Sequence, residues 1–180
     1  MNHRKPNRRS IRLRDWDYRS EGYYFVTFCT HQRECLFDDP RLHEIATLAW
    51  DYIPQQPHAQ TVALDERIIM PNHGHGLLRI TVDPAIPLAE TDHPRGPLAG
   101  SVGVIMGNYK MLVTKRVKAM LKASDTDMKV WQRGYWERII RNERELNAIR
   151  RYIQENPRRW HEDRDNLDRL LDKMVYVDGP

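Results

Sequence analysis

Two histidines one residue apart, His73 and His75, stand in the run Arg67-Ile-Ile-Met-Pro-Asn-His-Gly-His-Gly-Leu-Leu-Arg79. In an extended segment, alternate side chains project to the same face, so both imidazoles can converge on one divalent ion. Neutral imidazoles bound this way leave coordination positions for a third protein ligand, water and a substrate oxygen. The pair alone is equally compatible with two histidines satisfied by hydrogen bonds. Gly74 and Gly76 flank His75, however, and two glycines cost strand stability without adding packing, which marks the close approach of a backbone or ligand. Further along the chain, Tyr152 and Asn156 lie four apart in a segment of helical periodicity, which places both on one helix face. A phenol with an ordinary pKa of about 10 is a poor nucleophile at neutral pH, but a nearby metal and cationic side chains favour the phenolate and polarise a phosphate under attack. Each residue also has a plainer role: Tyr152 can edge the core of a helix through Leu146, Ile149 and Ile153, and Asn156 before Pro157 can simply end it.

These side chains must be positioned by elements that the periodicity predicts. Tyr23–Thr30 is an aromatic and β-branched run, a central strand. Arg41–Ile53 has apolar residues at 42, 45, 48, 49 and 52, an amphipathic helix starting after Pro40 and ending before Pro54. Thr61–Met70 and Gly74–Val82 predict a hairpin carrying the histidines, bent at Pro71-Asn72. The stretch 83–100 is rich in proline, glycine and small residues and predicts a surface loop. Ser101 is placed to cap a helix reaching Leu121. Val130–Ile140 predicts a fourth strand interrupted at Gly134, and Asn142 with Glu145 resembles a capping box opening a helix from Glu143 to Asn156, which ends or kinks before Pro157. Leu167, Leu170, Leu171 and Met174 have helical spacing and predict an appended helix. The order is that of an α+β, ferredoxin-like βαββαβ fold: an antiparallel sheet with helices on one face, plus a C-terminal helix carrying the tyrosine. The expected organisation is a basic N-terminal arm over 1–20, a catalytic domain over 21–157 and a helical tail over 158–180.

A chain of 180 residues is the size of one domain with appended arms. Its 29 Lys+Arg and 25 Asp+Glu give a net charge of only +4, but the basic residues are bunched. Arg8, Arg9, Arg12 and Arg14 belong to the opening segment, and Lys110, Lys115, Arg116 and Lys118 to an acid-free helix face. Such clusters suit a polyanion, because each neutralised phosphate releases condensed counterions, although solvated helix faces look the same. Two cysteines, Cys29 and Cys35, are too few for a disulfide framework or a thiolate zinc site. No apolar run approaches the roughly 20 residues that span a bilayer, and the basic start lacks a signal peptide's apolar core. A cytoplasmic protein without a membrane partner is expected.

Met70-Pro-Asn-His-Gly-His75, Val130-Trp-Gln-Arg-Gly-Tyr135, Ile140-Arg-Asn-Glu143 and Tyr152-Ile-Gln-Glu-Asn-Pro157 together resemble the motif series of the REP-associated tyrosine transposases, within the HUH endonuclease superfamily. The resemblance runs from about Gly22 to Pro157. It implies a bacterial, nucleoid-associated enzyme, monomeric or homodimeric, that cleaves and rejoins single-stranded DNA at hairpin-forming repeats through a 5′-phosphotyrosine, using Mg²⁺ or Mn²⁺. Carried onto this sequence it implies Tyr152 as the nucleophile and His73, His75 and Asn156 as metal ligands. The residue between the histidines is usually bulky and hydrophobic in that superfamily, whereas here it is Gly74, so a loosely packed histidine strand is expected.

On that reading the basic arm reaches into the hairpin stem, while the basic helix, Arg133, Arg138, Arg141, Arg150 and Arg151 hold the DNA backbone. Trp131, Tyr135 and Trp136 are candidates to stack on unpaired bases, with a place in the core as the alternative. Two rivals share these residues: a catalytically inactive repeat-DNA-binding protein or regulator, and a metal-dependent hydrolase that uses water and forms no covalent adduct.

Overall fold

The computed structural model describes residues 19–81, 100–123, 128–159, 170–172 and 174–177. Arg8, Arg9, Arg12 and Arg14, nearly all of the loop predicted at 83–100, and Leu167 lie outside the described residues. Five strands form one sheet: β1 (Gly22–Cys29), β2 (Val62–Met70), β3 (His73–Ile80), β4 (Tyr135–Ile140) and β5 (Val175–Val177), in the spatial order β2-β3-β1-β4-β5. Every neighbouring pair is antiparallel. Packed with the sheet are the helices α1 (Pro40–Asp51), α2 (Val102–Leu121) and α3 (Glu143–Glu155). The first four strands with α1 and α2 are the ferredoxin-like plan that the sequence predicts.

The sheet has two different faces because β1 alternates. Tyr24, Val26 and Phe28 pack with α1 and α2 in one core, which includes Trp50, Ile53, Ile105, Tyr109 and Val113. Phe25 and Cys29 face the other way and pack with Leu77, Trp136, Leu146 and Ile153 beneath α3. Fully burying a side chain of the size of Phe28 or Leu77 stabilises by about 1.5–3 kcal/mol, so the two small cores together define which face each helix takes.

Helix ends follow local chemistry. Asp39 accepts from the Arg41 amide at 2.9 Å, with Pro40 at the first position of α1, and the Ser101 hydroxyl accepts from the Val104 amide at 3.4 Å. At α3, Asn142 Oδ1 accepts from the Glu145 amide at 2.9 Å, while the Glu145 carboxylate accepts from the Arg141 amide at 3.0 Å. The reciprocal bond of the expected capping box therefore falls one residue earlier. Pro157 does not divert Asn156 from helical geometry: Asn156 has φ −53° and ψ −43°, and the chain tightens into a 3-10 turn over Asn156–Arg159. Asn156 thus keeps its place one turn beyond Tyr152.

Two other expectations are corrected. The fourth strand begins at Tyr135 rather than Val130; Trp131 makes only an isolated bridge to Thr30, and Gly134, at φ +71°, turns the chain into β4. The tail is not helical through Met174. Leu170 and Leu171 are helical, but Val175–Val177 pairs with Glu137–Tyr135 of β4, extending the sheet by an edge strand. Backbone pairing offered by β4 outweighs the weak helical periodicity of that segment.

Behind the histidines, the small residues of β3 are filled from elsewhere. A Cβ on Gly74 would lie 2.4 Å from the Phe28 ring, and one on Gly76 would lie 2.2 Å from the Trp50 ring. Phe28 stacks on Trp50 at 5.8 Å between centroids and meets Tyr109 edge-on at 5.1 Å. The histidine strand is therefore tightly packed, contrary to the expectation from Gly74. The missing bulk arrives from β1 and α1.

Candidate active site

Histidines 73 and 75 occupy β3 on the α3 face, and across the strand pair Thr27 of β1 is directly opposite His75. Their side chains are sequestered, His73 being 1% exposed and His75 0%. The two Nε2 atoms are 3.1 Å apart, and the Tyr152 hydroxyl lies 3.2 Å from His75 Nε2. The Tyr152 ring also meets the His75 ring at 5.2 Å between centroids and Phe25 edge-on at 6.3 Å. Two ring nitrogens and a phenolic oxygen thus converge, in one chain, from β3 and α3.

Helix α3 is held against the sheet by its apolar stripe of Leu146 and Ile153, and polar contacts to β2 set its orientation. Arg150 makes a two-pronged bond to Asp65, with Nε to Oδ1 at 3.0 Å and an Nη to Oδ2 at 2.5 Å, and Gln154 donates to Glu66 at 2.8 Å. Asp65 and Glu66 lie where the register of β2 shifts between Leu64 and Arg67, so the irregularity aims both carboxylates at α3. The Arg150 guanidinium holds the Asp65 carboxyl below its usual range. Partly exposed pairs of this kind contribute about 1 kcal/mol or less, so they orient the helix rather than hold it.

Burial keeps both imidazoles neutral. Desolvation, reinforced by the Arg33 charge, lowers the His73 pKa to about 3, and desolvation with the neighbouring His73 pushes His75 well below its ordinary value. Neutral imidazole is the metal-binding form. Asn156 supplies the remaining test of fit: it is 2% exposed, and neither its Oδ1 nor its Nδ2 has a hydrogen-bond partner. An orphaned buried carboxamide costs about 1–3 kcal/mol, which a coordinated cation would recover. Neutral imidazole nitrogens and a carboxamide oxygen are donor types that a divalent ion accepts.

The basic residues divide into two groups. Lys115, Arg116, Arg133, Arg141 and Arg151 have exposed side chains. Lys115, Lys118, Lys129 and Arg133 line a cavity of about 960 Å³ between α2 and the 129–135 segment, and none of its lining residues is acidic. Lys110 differs from the expected backbone contact: its ammonium donates to the carbonyls of Gln132 at 2.7 Å and Gly134 at 2.6 Å, and burial lowers its pKa to about 8. It ties α2 to the approach of β4. Arg138 pairs with Glu145 at 2.5 Å, and Arg150 is committed to Asp65.

Trp131 is half-buried: it donates its indole N–H to the Lys110 carbonyl at 3.0 Å and packs against Phe28, Phe37 and Tyr109, while also lining the cavity beside Lys115 and Arg133. Tyr135 is buried and donates to Glu137 at 2.7 Å, while Trp136 packs on Tyr176 at 5.1 Å. Thr27 and Asn72, which bond the two imidazoles, escaped the sequence reading. Thr27 is one of several polar residues in a strand, and nothing in the sequence states which residue will oppose His75.

Over 82% of this chain and 73% of the other, the structure superposes on that of a REP-associated tyrosine transposase bound to a REP hairpin, with a TM-score of 0.56 and 17% sequence identity. The two proteins share a fold. A candidate transposase from Deinococcus radiodurans is a more distant match, with a TM-score of 0.44 and 18% identity over 80% of this chain and 95% of that one. No protein-family model matches the chain. An uncharacterized protein of Haemophilus influenzae is 35% identical over 176 residues, 90% of this chain and 94% of that protein, and the chain belongs to the same family. Among the described residues no helix is long and apolar enough to cross a membrane.

Proposed function

We propose that the protein is a DNA strand transferase that cleaves and rejoins single-stranded DNA at hairpin-forming repeats through a covalent tyrosine link. The observation that carries this reading is the Tyr152 hydroxyl 3.2 Å from His75 Nε2, itself 3.1 Å from His73 Nε2. A nucleophile adjoining a pair of metal-competent nitrogens is the arrangement that phosphoryl transfer to a side chain requires. The shared fold with a hairpin-bound transposase supports DNA as the substrate.

His73, His75 and the Asn156 carboxamide would hold a divalent cation, Mg²⁺ or Mn²⁺. Bound there, the ion supplies Lewis-acid polarisation of the scissile phosphate and charge neutralisation. The chain's own residues do the rest. Tyr152 Oη forms a bond to phosphorus, the bond from phosphorus to the 3′ oxygen breaks, and the proton given up by the phenol ends on that 3′ oxygen. The resulting 5′-phosphotyrosine conserves the ester, so a later 3′-hydroxyl can reverse the step and join new ends without an external energy source. Phe25 and the His75 ring fix the Tyr152 ring, and α3 is oriented by Arg150 and Gln154, which limits the search for an attack geometry. Exposed Lys115, Arg133, Arg141 and Arg151 supply sequence-independent attraction for the DNA backbone.

The test is a labelled hairpin oligonucleotide incubated with protein and Mn²⁺, then resolved on a denaturing gel. Protein-linked label is expected from the wild type and none from Tyr152→Phe. Cleavage persisting in Tyr152→Phe refutes the tyrosine; hairpin binding by the wild type without any cleavage makes the chain a DNA-binding module. Cleavage without an adduct identifies a hydrolase.

A further inference from the structure

The hydrogen bonds behind the two imidazoles have a direction. Asn72 Oδ1 lies 2.8 Å from His73 Nδ1, and a carbonyl oxygen only accepts, so His73 carries its proton on Nδ1. Thr27 Oγ1 lies 2.8 Å from His75 Nδ1 and itself donates to the Met174 sulfur at 3.5 Å. With the Thr27 hydrogen turned to the Met174 sulfur, a hydroxyl lone pair is left to accept from His75 Nδ1–H, and this is the tautomer that leaves Nε2 for a cation. With both rings in that tautomer, the two Nε2 lone pairs point into one space 3.1 Å wide, where the Tyr152 hydroxyl also meets His75 Nε2.

Resting on the metal-dependent reading above, we propose that Thr27 and Asn72 are positioning residues that fix His73 and His75 in the Nδ1–H tautomer, aiming two Nε2 lone pairs at one cation. Ligating histidines depend on such partners for tautomer, ring orientation and basicity. Each partner is itself fixed. Thr27 is fully buried in the central strand opposite His75. The Asn72 backbone carbonyl in the β2–β3 turn accepts from the Thr30 amide at 3.0 Å and the Thr30 hydroxyl at 2.9 Å. Met174, just before β5, gives the C-terminal segment a part in the same chain of bonds.

The proposal is tested on the full chain with two readouts. Long-range ¹⁵N–¹H NMR of the metal-free protein reports which ring nitrogen bears the proton, and calorimetric titration with Mn²⁺ alone reports affinity. In the wild type both histidines are expected as Nδ1–H. Thr27→Val keeps the shape but removes the acceptor, so His75 is expected to redistribute to the Nε2–H form and Mn²⁺ affinity to fall about 10–100-fold. Thr27→Ser is expected to restore both, and Asn72→Asp to retain the His73 tautomer and the affinity that Asn72→Leu loses. Nε2–H tautomers in the wild type, or unchanged tautomers and Mn²⁺ affinity in Thr27→Val and Asn72→Leu, overturn it. Should the wild type show both Nδ1–H tautomers yet bind no Mn²⁺, the tautomer assignment is upheld and the metal-dependent function fails.

Discussion

Replacing Asn156 with leucine should stabilise the metal-free protein while abolishing its response to metal. Asn156 is 2% exposed with both carboxamide atoms unpartnered, so the native chain carries the desolvation cost of two polar atoms. That cost is about 1–3 kcal/mol, and a leucine of similar size removes it. Asn156 also has helical φ and ψ, at −53° and −43°, where leucine adds a few tenths of a kcal/mol in helix propensity. The expected sum in urea denaturation, without metal, is a gain of about 1–3 kcal/mol at unchanged m. A ligand that binds only the folded state adds RT ln(1 + [L]/Kd), about 2.7 kcal/mol at a hundred times Kd, so Mn²⁺ should stabilise the wild type and leave Asn156→Leu unmoved. The two curves are expected to approach or cross as Mn²⁺ is raised. A metal-free Asn156→Leu protein less stable than wild type would show that the carboxamide is structurally satisfied; an equal Mn²⁺ response in both would remove Asn156 from the ligand set.

Gly74→Val should destabilise by about 1–3 kcal/mol, because the new Cβ lies 2.4 Å from a Phe28 ring that Trp50 and Tyr109 hold in place; combining it with Phe28→Ala should cost less than the two single losses added, and strict additivity in denaturation midpoints would refute the shared space. Acid should weaken the metal-free fold: both histidines have folded pKa values below the unfolded value of about 6.5, so their contribution is complete above that pH and is lost as pH falls towards the His73 value of about 3. The slope approaches about 1.4 kcal/mol per pH unit per histidine, and urea midpoints that stay flat from pH 7 to 5 would contradict it. Lys110→Met should cost about 2–4 kcal/mol through two orphaned carbonyls and leave the salt dependence of hairpin binding unchanged, whereas exposed Lys115→Ala should spare stability and, where Lys115 contacts a phosphate, reduce the salt slope by about 1; filter binding at several salt concentrations separates them.

Much of this arrangement was legible before any coordinates. Tyr23–Thr30 and the helical spacing of 101–121 are local patterns, and His73, His75, Tyr152 and Asn156 lie on elements whose periods place them on single faces. What escaped depends on pairs distant in sequence. Trp131 is compatible with stacking and with the core until its contacts with Phe28, Phe37 and Tyr109 are seen. Val175–Val177 is three residues long, too short for its own periodicity to outweigh the leucines before it, and it becomes a strand because β4 offers an unpaired edge. Thr27 acquires its role from a strand register that no local pattern encodes.

The packing between Phe28 and Gly74 bears on how kinship is read along such chains. Phe28 and Gly74 are register partners on neighbouring strands, and the space behind the histidines can be filled from either side. Selection acting on that space constrains the combined volume of the two positions rather than the identity of one. Relatives with a bulky residue at the position of Gly74 should carry a small one at that of Phe28. A glycine between the histidines is then to be read together with the aromatic ring opposite it, as one half of a shared volume.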